Sequence, residues 1–233
     1  MREILADGLR ELGLQPDERA VERFVGYYEY LEERNRVMNL TAISGAEDVA
    51  RLHFLDCATL CTVADFRNAS VIDVGTGAGF PGLPVKILEP SVSLTLLDSL
   101  RKRVDFLSET CEKLELENVR CIHARAEEAE QSLRESYDYA VSRAVARLNV
   151  LCELCLPFVR VGGTFLAMKG PDCAEELAEA ENAIRLLGGE VERIVPCVIP
   201  GIDTHHCIAV IRKVAPSPGK YPRRFAKIQK EPL

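Results

Sequence analysis

The residues best placed to do chemistry form a glycine-rich turn that leaves one apolar run and opens a helical one. The turn runs from Val71 to Gly82 and has glycine at positions 75, 77, 79 and 82. Glycines there let the backbone turn tightly and approach a ligand closely. Asp98 ends the next apolar run, 21 residues after Gly77, where an acid that binds a ribose belongs. The pattern predicts a site for a nucleotide-like cofactor.

Two cofactors fit this turn. The stretch 77–82 matches the G-x-G-x-x-G pattern of NAD enzymes. Gly75-x-Gly77-x-Gly79, preceded by Asp73 two residues earlier, is instead the pattern of S-adenosylmethionine sites. A hairpin predicted at the end of the sheet is also characteristic of Rossmann-like methyltransferases. These two features favour S-adenosylmethionine.

The elements around the turn predict a helical start, an α/β body and a tail. Apolar spacing predicts helices over 2–12, 17–36 and about 47–64. From residue 70, short apolar runs alternate with helical ones, which indicates βαβ units and a parallel sheet. We expect strands over 71–74, 92–97, 119–123, 137–141, 164–168, 191–198 and 206–212. We expect helices between them over about 83–88, 101–116, 148–159 and 175–187.

The predicted fold class is therefore α/β, with a Rossmann-like, mostly parallel sheet of seven strands. The last two strands have no helix between them, so the seventh is expected to run antiparallel to the sixth. The expected organisation is an N-terminal helical cap (1–65), a methyltransferase-type domain (66–213) and a basic C-terminal tail (214–233).

Composition excludes several classes of protein. With 47% apolar and 28% charged residues in 233, the chain is an ordinary globular protein, not a disordered or fibrous one. It lacks an apolar run of the roughly 18 residues that span a bilayer, and we expect no signal peptide. Nine irregularly spaced cysteines predict reduced thiols and a cytoplasmic protein. Cys152 and Cys155 form a C-x-x-C pair within an apolar stretch and are interpreted as core residues.

Charge is distributed unevenly along the chain. The net charge is −7, but the last 22 residues hold seven basic side chains and one acidic one. The preceding 211 residues hold 22 basic and 35 acidic side chains. In the tail, cations alternate with Tyr221 and Phe225, which suits phosphate contact plus base stacking or, equally, a solubilising tail.

Several motifs together make the chain resemble the bacterial GidB/RsmG methyltransferases, which methylate N7 of a guanine in small-subunit ribosomal RNA. The resemblance covers residues 27–233. It is carried by Asn39-Leu40-Thr41, His53-Phe54-Leu55-Asp56, the glycine turn, Leu97-Asp98-Ser99, Arg125-Ala126-Glu127, Ser142-Arg143-Ala144, Lys169-Gly170 and Tyr221-Pro222-Arg223-Arg224.

The resemblance implies S-adenosylmethionine as cofactor and a set of cofactor-binding residues. These are Gly75, Gly77, Gly79, Phe80, Asp98, Ala126, Glu127 and Arg143. Arg143 follows the fourth predicted strand, at the sheet edge where ligands of open α/β sheets bind. Arg143 and Lys169 are the candidate catalytic residues.

The chemistry after the fourth strand is informative about the acceptor atom. Enzymes that methylate amino groups usually place Asn/Asp-Pro-Pro-aromatic there, whereas this chain has Ser142-Arg143-Ala144-Val145. Carbon-5 pyrimidine enzymes need a cysteine nucleophile, and the one Pro-Cys pair, at Cys197, is predicted to lie in the sixth strand, away from the ligand edge. Guanine N7 needs neither device, because its lone pair is free and no proton must leave first. An arginine can position or polarise, but being always protonated it cannot act as the base.

Basic residues near this edge are the candidate RNA-binding residues. Three cations open the helix after Asp98, against the helix dipole, and a local conflict of that kind can mark function. The candidates are Arg101, Lys102, Arg103, Arg125, Lys169, Arg223 and Arg224. The expected partner is 16S ribosomal RNA within a small-subunit particle, with no membrane partner and no metal. An NAD-dependent oxidoreductase and a nucleic-acid-binding module with a vestigial cofactor fold are the alternatives.

Overall fold

The computed structural model describes residues 1–143, 146–203 and 206–233. Ala144 and Val145 of the Ser-Arg-Ala-Val segment, and His205, lie outside the described residues. The described chain forms seven strands, β1 to β7, with bounds Ser70–Val74, Ser93–Asp98, Val119–His123, Tyr137–Arg143, Val159–Lys169, Gly189–Cys197 and His206–Lys213.

The helices among the described residues are numbered α1 to α10 in chain order. Their bounds are Arg2–Glu11, Glu18–Met38, Ala46–Val49, Asp56–Ala58, Leu60–Val63, Gly82–Leu88, Arg101–Lys113, Leu148–Cys155, Cys173–Leu186 and Phe225–Lys230. A π-helical turn, Ala50–Leu55, joins α3 to α4, and 3₁₀ turns occupy Ala126–Glu128, Gln131–Leu133 and Leu156–Phe158. No described helix is long and apolar enough to cross a membrane.

The strands form one sheet in the order β3-β2-β1-β4-β5-β7-β6. Strands β1 to β5 pair in parallel, whereas β7 is antiparallel to both β5 and β6. The predicted fold class, including the antiparallel seventh strand, is confirmed. The chain moves outward from β1 to β3 and then returns to the other side at β4, so the switch point lies between β1 and β4. Ligands of open α/β sheets bind at such a point, outside the carboxyl ends of the strands.

Two cores cover the two faces of the sheet. Alternate strand residues face opposite sides, so Val71 joins the core under the N-terminal helices while Ile72 joins the core under α8 and α9. The first core contains Leu5, Phe24 and Tyr27 of α1 and α2 together with sheet residues. Leucine and aromatic side chains at helical spacing therefore attach the N-terminal helices to the sheet through a shared apolar layer.

The third predicted helix, over about 47–64, is present as one helical run from Ala46 to Val63. Ala50, Asp56 and Thr59, which link its parts, all have right-handed helical backbone angles. Apolar periodicity does not show that its middle widens into a π-helical turn, and π turns often occur at functional sites. The helix from Leu148 ends at Cys155, not at 159, and the fifth strand begins at Val159, five residues before the predicted start.

The expectation of reduced thiols throughout is wrong for one pair. A disulfide joins Cys173, the first residue of α9, to Cys207 in β7, across a sequence separation of 34. Their spacing carries no local pattern, because packing of α9 against β7 brings them together. Cys152 and Cys155 are fully buried free thiols, which confirms their interpretation as core residues.

Candidate functional site

The glycine turn lies directly over the carboxyl ends of β1 and β2. Gly75 and Gly77 have positive φ angles of 72° and 62°, a region that favours glycine. The Gly77 amide donates a 2.9 Å hydrogen bond to the Asp98 carboxylate, and the Leu100 amide donates another at 2.9 Å. A Cβ added at Gly77 would meet no atom within 4 Å, so this backbone faces open space. The turn therefore leaves room for a ligand beside Asp98.

Gly79, also predicted to bind the cofactor, packs against neighbouring side chains. Its φ is 104°, and an added Cβ would lie 2.5 Å from a Leu83 methyl and 2.6 Å from the Tyr27 hydroxyl. That hydroxyl donates a hydrogen bond to the Ala78 carbonyl. Gly79 thus lets the turn pack on α2 and α6, and it does not line the cavity beneath the turn.

Asp73 fastens the turn from inside the core. Its Oδ2 accepts hydrogen bonds of 2.7 Å from the Thr76 hydroxyl and from the Gly82 amide. Its Oδ1 is buried without a partner among the described residues. Burial raises the pKa of this carboxyl to about 7, although those two hydrogen bonds oppose the change. Asp73 therefore holds the turn in place from within the core, and the charge of its carboxyl group depends on pH near neutrality.

A first cavity of about 410 Å³ opens beneath the turn. It brings together seven of the eight predicted cofactor-binding residues from four strand ends, all except Gly79. Those seven are Gly75, Gly77, Phe80, Asp98, Ala126, Glu127 and Arg143, and further lining comes from Leu40, Thr41, His53, Arg103, Arg125 and Phe225. Among the described parts of the chain, no three His, Cys, Asp or Glu side chains are grouped to hold a metal ion.

The first cavity fits S-adenosylmethionine by its chemistry. Asp98 is nearly fully buried and supplies a carboxylate for ribose hydroxyls. Glu127 and Ala126 lie on the 3₁₀ turn after β3, on the same side as Asp98. The open face of Gly77 lets a ligand approach the backbone closely, which a side chain would prevent. These residues would hold the cofactor.

Arg143, at the end of β4, is the most heavily bonded side chain at this edge. Its Nη1 donates to an Asp56 carboxylate oxygen at 2.9 Å and to the Leu52 carbonyl at 3.0 Å. Its Nη2 lies 2.8 Å from His53 Nδ1. The guanidinium also lies 5.0 Å from the centre of the Phe80 ring, within the range of cation–π contact. The guanidinium is thus held between the first cavity and the π-helical turn.

His53 is the neutral member of this cluster. Burial and the neighbouring Arg143 lower the pKa of its imidazole to about 3, so it accepts from Arg143 through Nδ1. Its other ring nitrogen lies 2.8 Å from the Thr41 hydroxyl. The ring stacks on Phe80 with centroids 4.3 Å apart. Asp56 also binds His206, whose Nδ1 lies 3.0 Å from the second Asp56 oxygen.

Lys169, the second candidate catalytic residue, is already paired. Its ammonium lies 2.7 Å from a Glu176 carboxylate oxygen and donates to the Ala146 carbonyl at 2.9 Å. Only 7% of the side chain is exposed. It could contact a phosphate only by leaving Glu176, so it is better suited to shaping the edge of the sheet.

The other predicted basic residues divide into free and bound ones. Arg101, Arg125 and Arg224 are exposed, and Arg125 lies over the Phe225 ring at 6.0 Å. Lys102 donates to the Met38 carbonyl at 3.2 Å, and Arg103 lies 3.5 Å from Asp98. Arg103 therefore belongs to the wall of the first cavity.

Arg223 is a structural residue of the tail. Its guanidinium and its backbone amide bind the carboxylate of Glu153, which is fully buried in α8, at 2.6–3.2 Å. Tyr221 and Ile228 are buried in the core that contains α8. The tail thus packs back on the body and brings Phe225 to the mouth of the first cavity.

The placement of Cys197 corrects the sequence-based expectation. Two antiparallel pairings in succession make β6 parallel to β5, so its last residue lies at the ligand edge. Burial raises the pKa of the Cys197 thiol, which opposes formation of a nucleophilic thiolate. Cysteine-based carbon chemistry is therefore still disfavoured, but for a different reason from the one predicted.

Sequence reasoning assigned no role to Thr41, His53, Asp56 or His206, and it considered Phe225 only as a base-stacking residue of the tail. Thr41, His53 and Asp56 lie in segments that carry the family resemblance, which was the one signal available. No local pattern places His206 or Phe225 at this edge of the sheet, because each reaches it through tertiary packing.

Comparison with known proteins identifies the family. The family described as "rRNA small subunit methyltransferase G" (GidB) matches residues 20–206. The chain belongs to this family. A "Ribosomal RNA small subunit methyltransferase G" of Alkaliphilus oremlandii is 49% identical, covering 100% of this chain and 99% of the relative. The predicted family is confirmed, and with it the predicted S-adenosylmethionine-dependent methyltransferase of ribosomal RNA.

Solved structures agree with this family at the level of the fold. A "SAM dependent methyltransferase" from Aquifex aeolicus has a TM-score of 0.54 at 17% identity, covering 80% of this chain and 97% of its own. M. jannaschii TYW2, solved "in complex with AdoMet", has a TM-score of 0.55 at 14% identity, covering 74% of this chain and 80% of its own. The Rossmann-like methyltransferase fold is shared with both.

Proposed function

We propose that this chain transfers the methyl group of S-adenosylmethionine to N7 of one guanine in 16S ribosomal RNA, by direct in-line displacement. The observation that carries this proposal is the rigid cluster of Arg143, His53 and Asp56 beside the first cavity. The cluster supplies a fixed cation and a neutral imidazole at the acceptor side of the cofactor site, with no general base.

The cofactor, when bound, supplies an activated methyl group on a sulfonium. Asp98 accepts hydrogen bonds from ribose hydroxyls, while the backbone around Gly75 and Gly77 contacts the ligand closely. Ala126 and Glu127 lie where an adenine edge would rest. Phe80 closes the cavity below Arg143 and stacks against His53.

Arg143 orients the acceptor and shapes the local field. Guanine N7 attacks with a lone pair that is already free, so no residue has to remove a proton. The work of the protein is alignment and electrostatic stabilisation, in which a misplacement of about 1 Å can cost about 10²-fold in rate. A guanidinium held by Asp56, His53 and the Leu52 carbonyl satisfies that need.

The residue roles support the N7 assignment over other acceptor atoms. The segment after β4 lacks the Asn/Asp-Pro-Pro-aromatic motif that holds an exocyclic amine. Family membership decides against the NAD-dependent oxidoreductase and the catalytically silent binding module that the sequence left open.

For the RNA, exposed Arg101, Arg125 and Arg224 near the cavity mouth are the proposed phosphate contacts, with Lys102 able to join them. We propose that the substrate is the RNA within a small-subunit particle, since an acidic body favours a target presented on a structured surface over diffuse binding to free RNA. The proposed division of the chain is a helical cap (1–65), a methyltransferase domain (66–213) and a basic tail (214–233).

The test is mass mapping of 16S RNA modifications in a strain lacking the gene. Complementation with the wild-type gene should restore one N7-methylguanine, and complementation with Arg143→Ala should not. An exposed arginine at the opposite edge of the sheet, Arg67→Ala, is the matched control and should restore the modification. Absence of any guanine change on deletion would contradict the assigned acceptor.

Cofactor specificity and substrate form need separate measurements. Isothermal titration should show binding of S-adenosylmethionine and its demethylated product, and no binding of NAD. Transfer of labelled methyl groups to purified particles and to naked RNA then compares the two substrates. Faster transfer to naked RNA would contradict the particle as substrate without affecting the assigned reaction.

A further inference from the structure

A second cavity of about 450 Å³ lies on the other side of the Arg143 cluster. Its walls are largely apolar and come from the helical run between α3 and α5 and from the ligand-edge ends of β5, β6 and β7. The side chains that form these walls include Ile43, Leu52, Met168 and Ile208. An apolar enclosure of this size suits a flat, weakly polar group better than a free phosphate.

The second cavity shares two residues with the first. His53 and Arg143 line both, so the two spaces adjoin at this pair of side chains. A group in the second cavity would therefore meet a ligand of the first beside the Arg143 cluster. Direct transfer between two bound molecules requires such neighbouring sites, with the reacting atoms about 3–3.5 Å apart.

His206 is a polar residue that lines the second cavity. Its Nδ1 is held by Asp56, whose other oxygen binds Arg143. The hydrogen bond to Asp56 raises the pKa of His206, which favours a proton on both ring nitrogens. Its Nε2 has no protein partner within the described part of the chain and is available to donate to a ligand. Lys169 and Glu176, which also line the cavity, are paired with each other.

The donor at His206 distinguishes between purines. Guanine presents two acceptors, N7 and O6, on one edge, whereas adenine presents N7 beside an amino donor. A donor beside O6 would be satisfied by guanine and opposed by adenine. Enzymes that act on a base commonly extrude it into a pocket with apolar walls, at a cost of a few kcal/mol for unstacking.

We propose that the second cavity holds the target guanine, extruded from the RNA, and that His206, held by Asp56, donates to its O6 and selects guanine over adenine. This inference rests on the proposed function. In the reaction, the N7 lone pair forms the new N–C bond as the S–C bond breaks. The electron pair of the broken bond stays on sulfur, which becomes a neutral thioether, and the positive charge passes to the guanine ring. No proton moves.

The first experiment fills the cavity. Ile43→Trp should keep the affinities for S-adenosylmethionine and for particles from a strain lacking the gene within about twofold. It should lower single-turnover methyl transfer by about 10²-fold or more, because the base could no longer reach its place. Val198→Trp adds the same bulk to a residue that is 75% exposed and outside both cavities, and should leave all three values unchanged.

Three results of this experiment would contradict the assignment of the second cavity to the target guanine. Wild-type transfer by Ile43→Trp would show that the base binds elsewhere. Loss of cofactor affinity would assign the cavity to the cofactor. Reduced affinity for particles with unchanged transfer at saturation would assign it to a phosphate of the RNA. If the wild-type protein itself transfers nothing, the proposed function fails instead.

A second experiment tests His206 and does not depend on the Trp variant folding. The target guanine is replaced by 2-aminopurine, which lacks O6, in ligated 16S RNA assembled into particles. The wild-type protein should lose about tenfold in rate with 2-aminopurine, equivalent to about 1.4 kcal/mol. His206→Gln should be slower than wild type on guanine and should show a smaller difference between the two bases. Equal discrimination by both proteins would overturn the O6 contact.

Discussion

At the residue scale, neighbouring glycines of one motif do different work. Gly77 faces the cofactor cavity, whereas Gly79 faces Tyr27 and Leu83. Both have positive φ angles, so a side chain at either one strains the backbone. The two glycines therefore differ in what surrounds them and not in the sign of φ.

Substitution of these two glycines by alanine should therefore give different defects. Gly77→Ala should lower S-adenosylmethionine affinity at least tenfold, about 1.4 kcal/mol, and cost about 1–2 kcal/mol of stability from backbone strain. The bulkier Gly77→Val should abolish binding. Gly79→Ala should lose more stability, because its Cβ would overlap Tyr27 and Leu83. Isothermal titration and urea unfolding measure the two effects. Near-wild-type affinity of a folded Gly77→Val protein for S-adenosylmethionine would contradict the assignment of this turn as a cofactor site.

Asp73 should make folding stability depend on pH. Its usual pKa of 3.8 is raised to about 7 in the fold, so the folded state holds more protons than the unfolded chain between these values. Stability from this group is therefore lost as pH rises from about 4 to 7. Asp73→Asn removes the titration and keeps an oxygen for Thr76 and Gly82. We expect its stability relative to wild type to increase by a few kcal/mol from pH 4 to pH 8, since one pKa unit corresponds to about 1.4 kcal/mol.

Asp138 provides a control of opposite sign for that measurement. Burial alone would raise its pKa, but hydrogen bonds from Ser70 and Arg160 lower it overall. The stability of Asp138→Asn relative to wild type should therefore decrease as pH rises toward the usual value of 3.8, and should level off above it. Urea unfolding of the apo protein from about pH 3 to pH 8 checks both variants. A flat difference for Asp73→Asn would contradict a raised pKa.

At the scale of elements, two segments complete the site. The helical run from α3 to α5 turns His53 and Asp56 toward Arg143, and the tail brings Phe225 to the cavity. The tail is held in part by Arg223, which neutralises the buried carboxylate of Glu153, and in part by Arg134, which donates to the Tyr221 and Ser217 carbonyls. These helical segments thus contribute His53, Asp56 and Phe225 to a site whose other residues come from the strand ends.

Two adjacent arginines of the tail should behave differently. Arg223→Ala leaves the Glu153 carboxylate buried and unpaired, and should lower stability by about 3 kcal/mol or more. Arg224→Ala, at an exposed position, should change stability by less than about 0.5 kcal/mol while weakening RNA binding. Thermal or urea unfolding and filter binding separate the two. Equal stability losses would show that the Arg223 pair does not hold the tail.

At the scale of the whole molecule, the docked tail concentrates cations on an acidic body. The net charge is −7, yet Arg224, Lys227 and Lys230 are exposed on the segment that reaches the cavity mouth. Attraction to RNA must then be local, because the long-range field of the body opposes a polyanion.

Removing these three tail cations together should reduce the salt dependence of RNA binding. The slope of log affinity against log salt should fall by roughly 0.7–0.9 for each lost phosphate contact, with cofactor affinity unchanged. Arg67, Lys113 and Arg185 lie near the opposite edge of the sheet, and their joint replacement by alanine is the control with equal charge change. If both triple variants give the same slope, the tail is not part of the RNA surface.

The sequence alone determined the order of strands and helices, the glycine turn and its distance from Asp98. Such features depend on local periodicity and on backbone conformations that a few residue types favour. Motif matches extended this to the family and the cofactor. The boundaries that were wrong, such as the end of α8 at Cys155 and the start of β5 at Val159, lie where tertiary packing overrides local preference.

Only the tertiary structure decided which side chains meet. Arg143 binds Asp56 across 87 residues, and Arg223 binds Glu153 across 70. The sequence marked Arg143, Lys169 and Arg223 as cations at one edge, but not that Lys169 and Arg223 are already neutralised by partners. Pairing over such separations is set by how the layers pack and by the need to neutralise buried charge, and neither leaves a periodic trace in the chain.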